Sequence, residues 1–309
     1  MTGRVLVLMD FSPAARHAHR FVRRQFPEAR LDLLHVVPVG SLAAAPPRPQ
    51  TSLGRHTVTR AVLDHEWARE AAARLQVLGG GVLAEGTPAE VALTHAESGV
   101  YDLIALGTAG KRGLGRLMFG SVAERVVRDA PVPVLTARGN GLRLRRVRRV
   151  LVPTDFSPHA ARALELVRAA WPNAAVSLLH AVDAASLETL APGPPAADPG
   201  AAPGEGLQVR REEAQGRLRE LGEGEVVVGP PTPRILAALE AGNYDLVALG
   251  TAGRRGVEGL LSGSVARAVV RESPVPVLTV RAGAEGSAAV NTPDRPPGQG
   301  GSHEQAEVS

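Results

Sequence analysis

Residues 4–37 read RVLVLMDFSPAARHAHRFVRRQFPEARLDLLHVV, and residues 149–182 read RVLVPTDFSPHAARALELVRAAWPNAAVSLLHAV. Asp10 recurs as Asp155, Ser12 as Ser157, Pro27 as Pro172 and His35 as His180, each 145 positions on. Val5–Met9 is a short, near-continuous apolar run, the pattern of a strand buried on both faces. Ser12 supplies a helix cap and Pro13 suits the first helical position, which predicts a helix to about Gln25. Leu31–Val37 reads as a second strand. A buried strand, a helix and another buried strand form one βαβ unit, and βαβ units imply a parallel sheet with helices packed on it.

Working outward, a second block repeats. YDLIALGTAGKRGLGRLMFGSVAERVVRDAPVPVLTAR (101–138) matches YDLVALGTAGRRGVEGLLSGSVARAVVRESPVPVLTVR (244–281), 143 positions on. Leu103–Gly107 predicts a fourth strand, Ser121–Asp129 a short helix and Val132–Thr136 a fifth strand. Residues 57–78 predict a helix ended by Gly79–Gly81. Val82–Glu85 predicts a third strand, and Thr87-Pro88 starts the next helix. A repeat of this length is domain-sized, too long for a solenoid unit. The expected fold is therefore α/β: two tandem five-stranded parallel-sheet domains of three α/β/α layers. We place the domains at 1–140 and 147–282, with a polar, Gly/Pro-rich disordered tail at 283–309. The Pro/Gly/Ala-rich segments 40–56 and 188–206 read as loops.

Composition narrows the function. The 309 residues contain no cysteine, which removes disulfides, thiolate zinc sites and a cysteine nucleophile. No apolar stretch approaches the ~18 residues of a membrane span, and no signal peptide is legible, so a cytoplasmic protein is expected. Lys plus Arg total 35 against 31 Asp plus Glu, a net charge of only +4. Aromatics are 3%, too few for the stacking platforms of a typical single-strand binder. Arg143, Arg145, Arg146, Arg148 and Arg149 form a basic run at the domain junction. We read it as a solvated linker rather than a nucleic-acid site.

The chemistry-bearing pattern is G-x2-G-x9-G-S. It occurs as Gly107, Gly110, Gly120, Ser121 and again as Gly250, Gly253, Gly263, Ser264. Open parallel sheets bind ligands beyond the carboxyl ends of their strands, near the switch in strand order. Glycine there lets backbone approach a ligand, and a helix N-terminus offers unpaired N–H groups and partial positive charge to phosphate. The Ser121 and Ser264 hydroxyls and the Val122 and Val265 amides would add donors. Against this, a Ser at a helix start is often only a cap. Asp10 and Asp155 follow first strands, where two readings stand side by side: a group facing ribose or a phosphate-bound metal, or an Asp satisfied by nearby backbone N–H groups. His35 and His180 lack partners at metal-ligand spacing and read as structural.

DFSP after the first strand, LLHVV or LLHAV in the second, and G-x2-G-x9-G-S before an APVPVL-type strand resemble the universal stress protein family, up to about Arg281. The resemblance implies a Rossmann-like fold of the adenine nucleotide alpha hydrolase type and ATP, with Mg2+, as ligand. It implies that Asp10 and Asp155 lie near ribose and phosphates, and that the backbone of Val36 and Ala181 contacts adenine. The ribose and phosphate residues would be Gly107, Gly110, Gly120, Ser121, Val122, Gly250, Gly253, Gly263, Ser264 and Val265. It implies a stress-response regulator rather than a dedicated catalyst. No G-x4-G-K-[ST] loop and no repeated general base stands beside the glycines. Slow ATP hydrolysis and a non-binding scaffold stay open as alternatives. Family members often pair fifth strands between subunits. Here Val132–Thr136 and Val275–Thr279 could pair within one chain, and a homodimer of the two-domain chain is a further expectation.

Two departures stand out. The family often has Pro-Thr before the first Asp; Pro153-Thr154 fits, but the first half has Leu8-Met9, which marks the first site as the weaker or altered one. Ala109 and Ala252 occupy a position where the family often carries His, and Lys111, Arg112, Arg254 and Arg255 lie in the same loops.

Overall fold

The computed structural model describes residues 3–37, 66–108, 120–138, 145–183, 205–242, 244–251 and 264–281. The first half runs β1 (Arg4–Leu8), α1 (Pro13–Gln25), β2 (Arg30–Val37), α2 (Glu66–Val77), β3 (Val82–Glu85), α3 (Pro88–Glu97), β4 (Leu103–Gly107), α4 (Ser121–Asp129) and β5 (Val134–Ala137). The second half repeats it as β6 (Arg149–Pro153), α5 (Pro158–Ala170), β7 (Ala175–Val182), α6 (Glu205–Leu221), β8 (Gly224–Val228), α7 (Pro231–Ala241), β9 (Leu246–Thr251), α8 (Ser264–Glu272) and β10 (Val277–Arg281). Residues 57–65 of the expected second helix and the tail at 283–309 lie outside the described residues. Strand pairing begins later than expected at the fifth strands, because Pro133 and Pro276 lack the N–H that a ladder needs.

All ten strands join one sheet in the order β3-β2-β1-β4-β5-β10-β9-β6-β7-β8. Neighbours within each half are parallel. β5 and β10 pair antiparallel, with Leu135 opposite Leu278, Thr136 opposite Val277 and Val134 opposite Thr279. The expected intrachain pairing of fifth strands is therefore present. It is also two-fold: Thr136 Oγ1 donates to the Val277 carbonyl (3.3 Å) and Thr279 Oγ1 to the Val134 carbonyl (3.2 Å). The duplicated halves meet as an isologous pair whose axis passes by Leu135 and Leu278, and both fifth-strand edges are used up in the contact.

The two faces of the sheet are built differently. On one face α1, α2, α5 and α6 cover a single apolar cluster that spans both halves, including Phe26 packed on Trp171 at 5.3 Å between ring centres. On the other face α3 and α4 cover one cluster and α7 and α8 cover another, and Val127 packs against both. Burial of this kind is the main source of stability in such a fold. Among the described residues no helix is long and apolar enough to cross a membrane.

Candidate functional site

In each half strand order reverses between the first and fourth strands, β1 and β4 or β6 and β9. The crevice beyond their carboxyl ends is where ligands enter folds of this kind. Asp10 and Asp155 stand at that edge immediately after β1 and β6. One oxygen of each is already engaged: Asp10 Oδ1 accepts the Ser12 N–H (2.9 Å) and Asp155 Oδ1 accepts the Ser157 N–H (3.0 Å). Oδ2 of each makes no hydrogen bond to a described residue. One oxygen of each aspartate therefore holds the turn, as the second of the two sequence readings expects.

The turn is strained. Phe11 and Phe156 have φ of +60° and +62°, a region non-glycine residues seldom occupy. Such a conformation costs on the order of 1–3 kcal/mol and persists only when its surroundings enforce it. Three contacts do so. The aspartate accepts from the residue after the Phe. Ser12 and Ser157 then cap their helices, accepting the N–H of Ala15 (3.1 Å) and Ala160 (3.3 Å). Finally, each Phe ring lies between two side chains. Phe11 sits 4.8 Å from the His35 ring with the Arg74 guanidinium 5.6 Å from its centre. Phe156 sits 4.5 Å from the His180 ring with Arg217 at 4.1 Å.

These arginines escaped the sequence reading. The signal was present: Ala71, Arg74 and Leu75 recur as Ala214, Arg217 and Leu218, 143 positions on. The alanines and leucines are buried in the core and the arginines lean outward onto the phenylalanines. Arg74 is paired with Glu70, whereas Arg217 makes no ion pair among the described residues. Arg217, Glu220, Phe156 and Ser157 line a cavity of about 180 Å³ in the second half.

The histidines each make a structural contact. Nδ1 of His35 meets the Met9 carbonyl at 2.5 Å, and Nδ1 of His180 meets the Thr154 carbonyl at 2.8 Å. An acceptor there calls for the tautomer protonated on Nδ1, which donates across to the end of the neighbouring strand. Among the described residues no group of three or more His, Asp and Glu could hold a metal ion.

Val36 and Ala181 follow those histidines. The Leu34 carbonyl accepts from Met9 N–H (2.8 Å) on the β1 side, and the Val37 carbonyl accepts from Gly86 N–H (2.9 Å) on the β3 side. Strand alternation therefore turns the backbone groups of Val36 toward β1, which has ended by that level. Leu179, paired to Thr154 N–H (2.9 Å), and Val182, paired to Gly229 N–H (2.9 Å), put Ala181 in the same position.

The glycines divide by role. A Cβ on Gly107 would stand 2.6 Å from the Ala15 nitrogen, and one on Gly250 would stand 2.4 Å from the His159 carbonyl carbon. Both glycines thus let the first turn of α1 or α5 cross directly over the strand end. Their close approach is to the protein's own backbone. Gly120 differs. Its φ of −68° and ψ of 138° suit any residue, and a Cβ would meet nothing described nearer than the Thr108 carbonyl at 3.5 Å. It caps α4 without a side-chain hydrogen bond. The amides of Ser121, Val122 and Ala123 therefore begin α4 with no intrahelical acceptor. Ser121 is exposed and Val122 half-buried, and Ser264 and Val265 repeat this at the start of α8. Gly110, Gly253 and Gly263, with the loop residues Ala109, Lys111, Arg112, Ala252, Arg254 and Arg255, lie outside the described residues.

Comparison with known proteins agrees with the duplicated fold. The profile of the universal stress protein family matches residues 1–138 and 146–281. A universal stress protein of Mycobacterium tuberculosis is 29% identical over 274 residues, covering 81% of this chain and 87% of that relative. One of Methanocaldococcus jannaschii is 50% identical over a shorter match of 54 residues, 18% of this chain and 32% of that relative. Among solved structures, a universal stress protein of Archaeoglobus fulgidus aligns with 91% of this chain and 99% of its own length. Its TM-score is 0.59 at 22% identity, which establishes the shared fold.

Proposed function

The chain belongs to the universal stress protein family, and from that footing we propose that each half binds ATP with Mg2+ at the carboxyl edge of its sheet and acts as a nucleotide-responsive regulator in a stress response. The observation that carries this reading is Gly120. Neither its backbone angles nor its described neighbours require glycine, yet it caps a helix whose first amides have no acceptor. A missing side chain at that point leaves space over a positive helix end, the arrangement that suits a phosphate. Asp10 Oδ2 and the β1-facing backbone of Val36 stand at the same edge, suited to ribose or a phosphate-bound metal and to an adenine ring. Asp155, Ala181, Ser264 and Val265 repeat the set. Gly107 and Gly250 would serve indirectly, by seating the helix that follows the aspartate.

We read the site as a binder rather than a committed catalyst: Glu124 in the first turn of α4 pairs with Arg267 (3.5 Å), and the matching position of α8 is Arg267 itself, so no general base recurs at both sites. The test is calorimetric titration of nucleotide-stripped protein with ATP and magnesium, beside Gly120→Val and Gly263→Val. Two sites, with one lost in each variant, is the expected result. Absence of binding by the stripped wild type would sink the ATP reading and leave a scaffold that regulates through its surface alone.

A further inference from the structure

The amino edge of the sheet, opposite the glycine loops, carries a second concavity. Arg24 near the end of α1 and Arg145, Arg146 and Arg148 of the segment joining the halves wall a cleft of about 330 Å³. The joining segment is held on both sides. Gln25 donates its Nε2–H to the Arg145 carbonyl (2.8 Å) and accepts the Val147 N–H on Oε1 (2.9 Å). On the other side the Asp245 carboxylate accepts from Arg145 Nε (2.6 Å), Arg148 N–H (2.9 Å) and Arg149 N–H (3.0 Å). Val147 is buried between them, and the flanking Arg146 and Arg148 are both exposed on the cleft.

The charge balance of this cleft is incomplete. Asp245 is only 6% exposed and spends its oxygens on Arg145 and two backbone amides. Arg24, Arg146 and Arg148 make no ion pair among the described residues. Like charges held around one small cleft repel, and the arrangement invites a counter-ion. Guanidinium groups bind phosphate oxygens in two-pronged fashion, and a cleft walled by four arginines favours a polyvalent anion over a single charge. The volume is that of a small-molecule site. No aromatic residue lines it, so it lacks the aromatic stacking platform of a typical single-strand binder.

We propose that this cleft binds a small anion carrying contiguous phosphates, at a site separate from the two glycine loops. Bound there, the anion would tie α1 of the first half to the joining segment, next to the Phe26–Trp171 contact that spans the halves. The same chemistry could be presented by a free inorganic phosphate chain or by the phosphate tail of a nucleotide.

The experiment uses the full chain carrying Trp67→Phe, so that Trp171 becomes the sole tryptophan and reports on the junction. Inorganic tripolyphosphate is titrated at low salt, following Trp171 emission and heat release. The expected result is a saturable response whose midpoint rises at least tenfold in Arg24→Gln/Arg146→Gln, and which weakens as salt screens the charges. ATP titrated in parallel identifies the source: loss of an ATP-dependent Trp171 response in the same variant assigns the cleft to a nucleotide tail, and its absence assigns it to a free chain. Curves unchanged by the double substitution in both readouts would overturn the proposal. So would a single-stranded oligonucleotide that saturates the signal at lower phosphate concentration than tripolyphosphate does.

Discussion

At the end of β1 the chain reads Leu8-Met9-Asp10, and at the end of β6 it reads Pro153-Thr154-Asp155. Both turns bend through a left-handed phenylalanine, and the second carries a threonine before its aspartate that buttresses the bend. Thr154 Oγ1 accepts the Phe156 N–H at 3.0 Å, whereas Met9 is a buried apolar side chain with no oxygen to offer. The first turns of α4 and α8 differ in the same sense. Glu124 stands in the first, and the matching position of the second is Arg267. A negative charge beside a helix N-terminus competes with phosphate for the same positive field, and a positive one adds to it. The frame is duplicated almost bond for bond, while the groups bordering each crevice have diverged, in a direction that on the proposed reading favours the second half.

The comparison breaks most visibly at the glycines. Gly107→Ala and Gly250→Ala should each cost more than about 2 kcal/mol, because the new methyl lands against helix backbone that cannot yield cheaply. Gly120→Ala replaces an N-cap glycine by a poorer cap without meeting any described neighbour, and should cost no more than about 1 kcal/mol. Urea unfolding followed by circular dichroism separates the two classes. Equal stability of all three variants would refute the assignment of Gly107 and Gly250 to helix packing. Loss of nucleotide binding in Gly120→Ala with its stability intact would tie that glycine to the ligand.

The difference in turn support should appear as unequal affinity. We expect the second half to bind Mg-ATP about tenfold more tightly than the first, a gap of about 1.4 kcal/mol. Thr154→Met leaves the Phe156 N–H without its acceptor, a loss worth about 1 kcal/mol or more. Calorimetry should therefore show the gap narrowing in Thr154→Met. Met9→Thr should narrow it from the other side, and two equal sites in the wild type would end the argument from turn support.

Acid should separate the halves by stability. His17 and His19 are both 4% exposed on α1, and their counterparts on α5 are Arg162 and Leu164. Desolvation lowers both pKa values, aided by Arg20 at His17 and by Arg23 and Arg20 at His19. A folded pKa below the unfolded one means that the unfolded chain binds more protons, so stability rises with pH. The contribution is fully present above the ordinary histidine value near 6.5 and is lost as pH falls from there through the folded values. The urea midpoint of the wild type should drop between neutral pH and pH about 5, well into that window. His17→Leu/His19→Leu should reduce the drop, leaving the part due to His95, whose pKa burial also lowers.

Much of this was legible in the residues, and what was missed has a physical reason. Leu103–Gly107 and Ser121–Asp129 came out at the expected bounds, because an apolar run ending in glycine and a Gly-Ser helix start are local signals. The meeting of fifth strands could be anticipated because a duplicated strand edge suits a two-fold contact. The Arg74–Phe11 and Arg217–Phe156 contacts join segments about 60 residues apart, and no local pattern announces such a contact. Nor could sequence say which backbone Gly107 admits. The pattern Asp-Phe-Ser-Pro predicts a capped helix but not the angle at which its first turn crosses β4.

The smallest predicted effect falls on the pair that spans the two-fold axis. Arg267 Nη1 lies 3.5 Å from Glu124 Oε1, and these are matching positions of the duplicated helices. In an unmodified duplication both would carry the same side chain and, near the axis, the same charge. Divergence to opposite signs turns a repulsion into an attraction. Both side chains are largely exposed, at 57% and 41%, so the pair is worth less than about 1 kcal/mol. Glu124→Gln should therefore move the urea midpoint hardly at all. Its consequence belongs to the nucleotide: removing the carboxylate from the first turn of α4 should tighten the first site about twofold, roughly 0.4 kcal/mol of helix-end electrostatics. Arg267→Gln should weaken the second site by a similar factor. If both substitutions instead shift the two affinities in the same direction, the charges act through the shared axis rather than each on its own helix end.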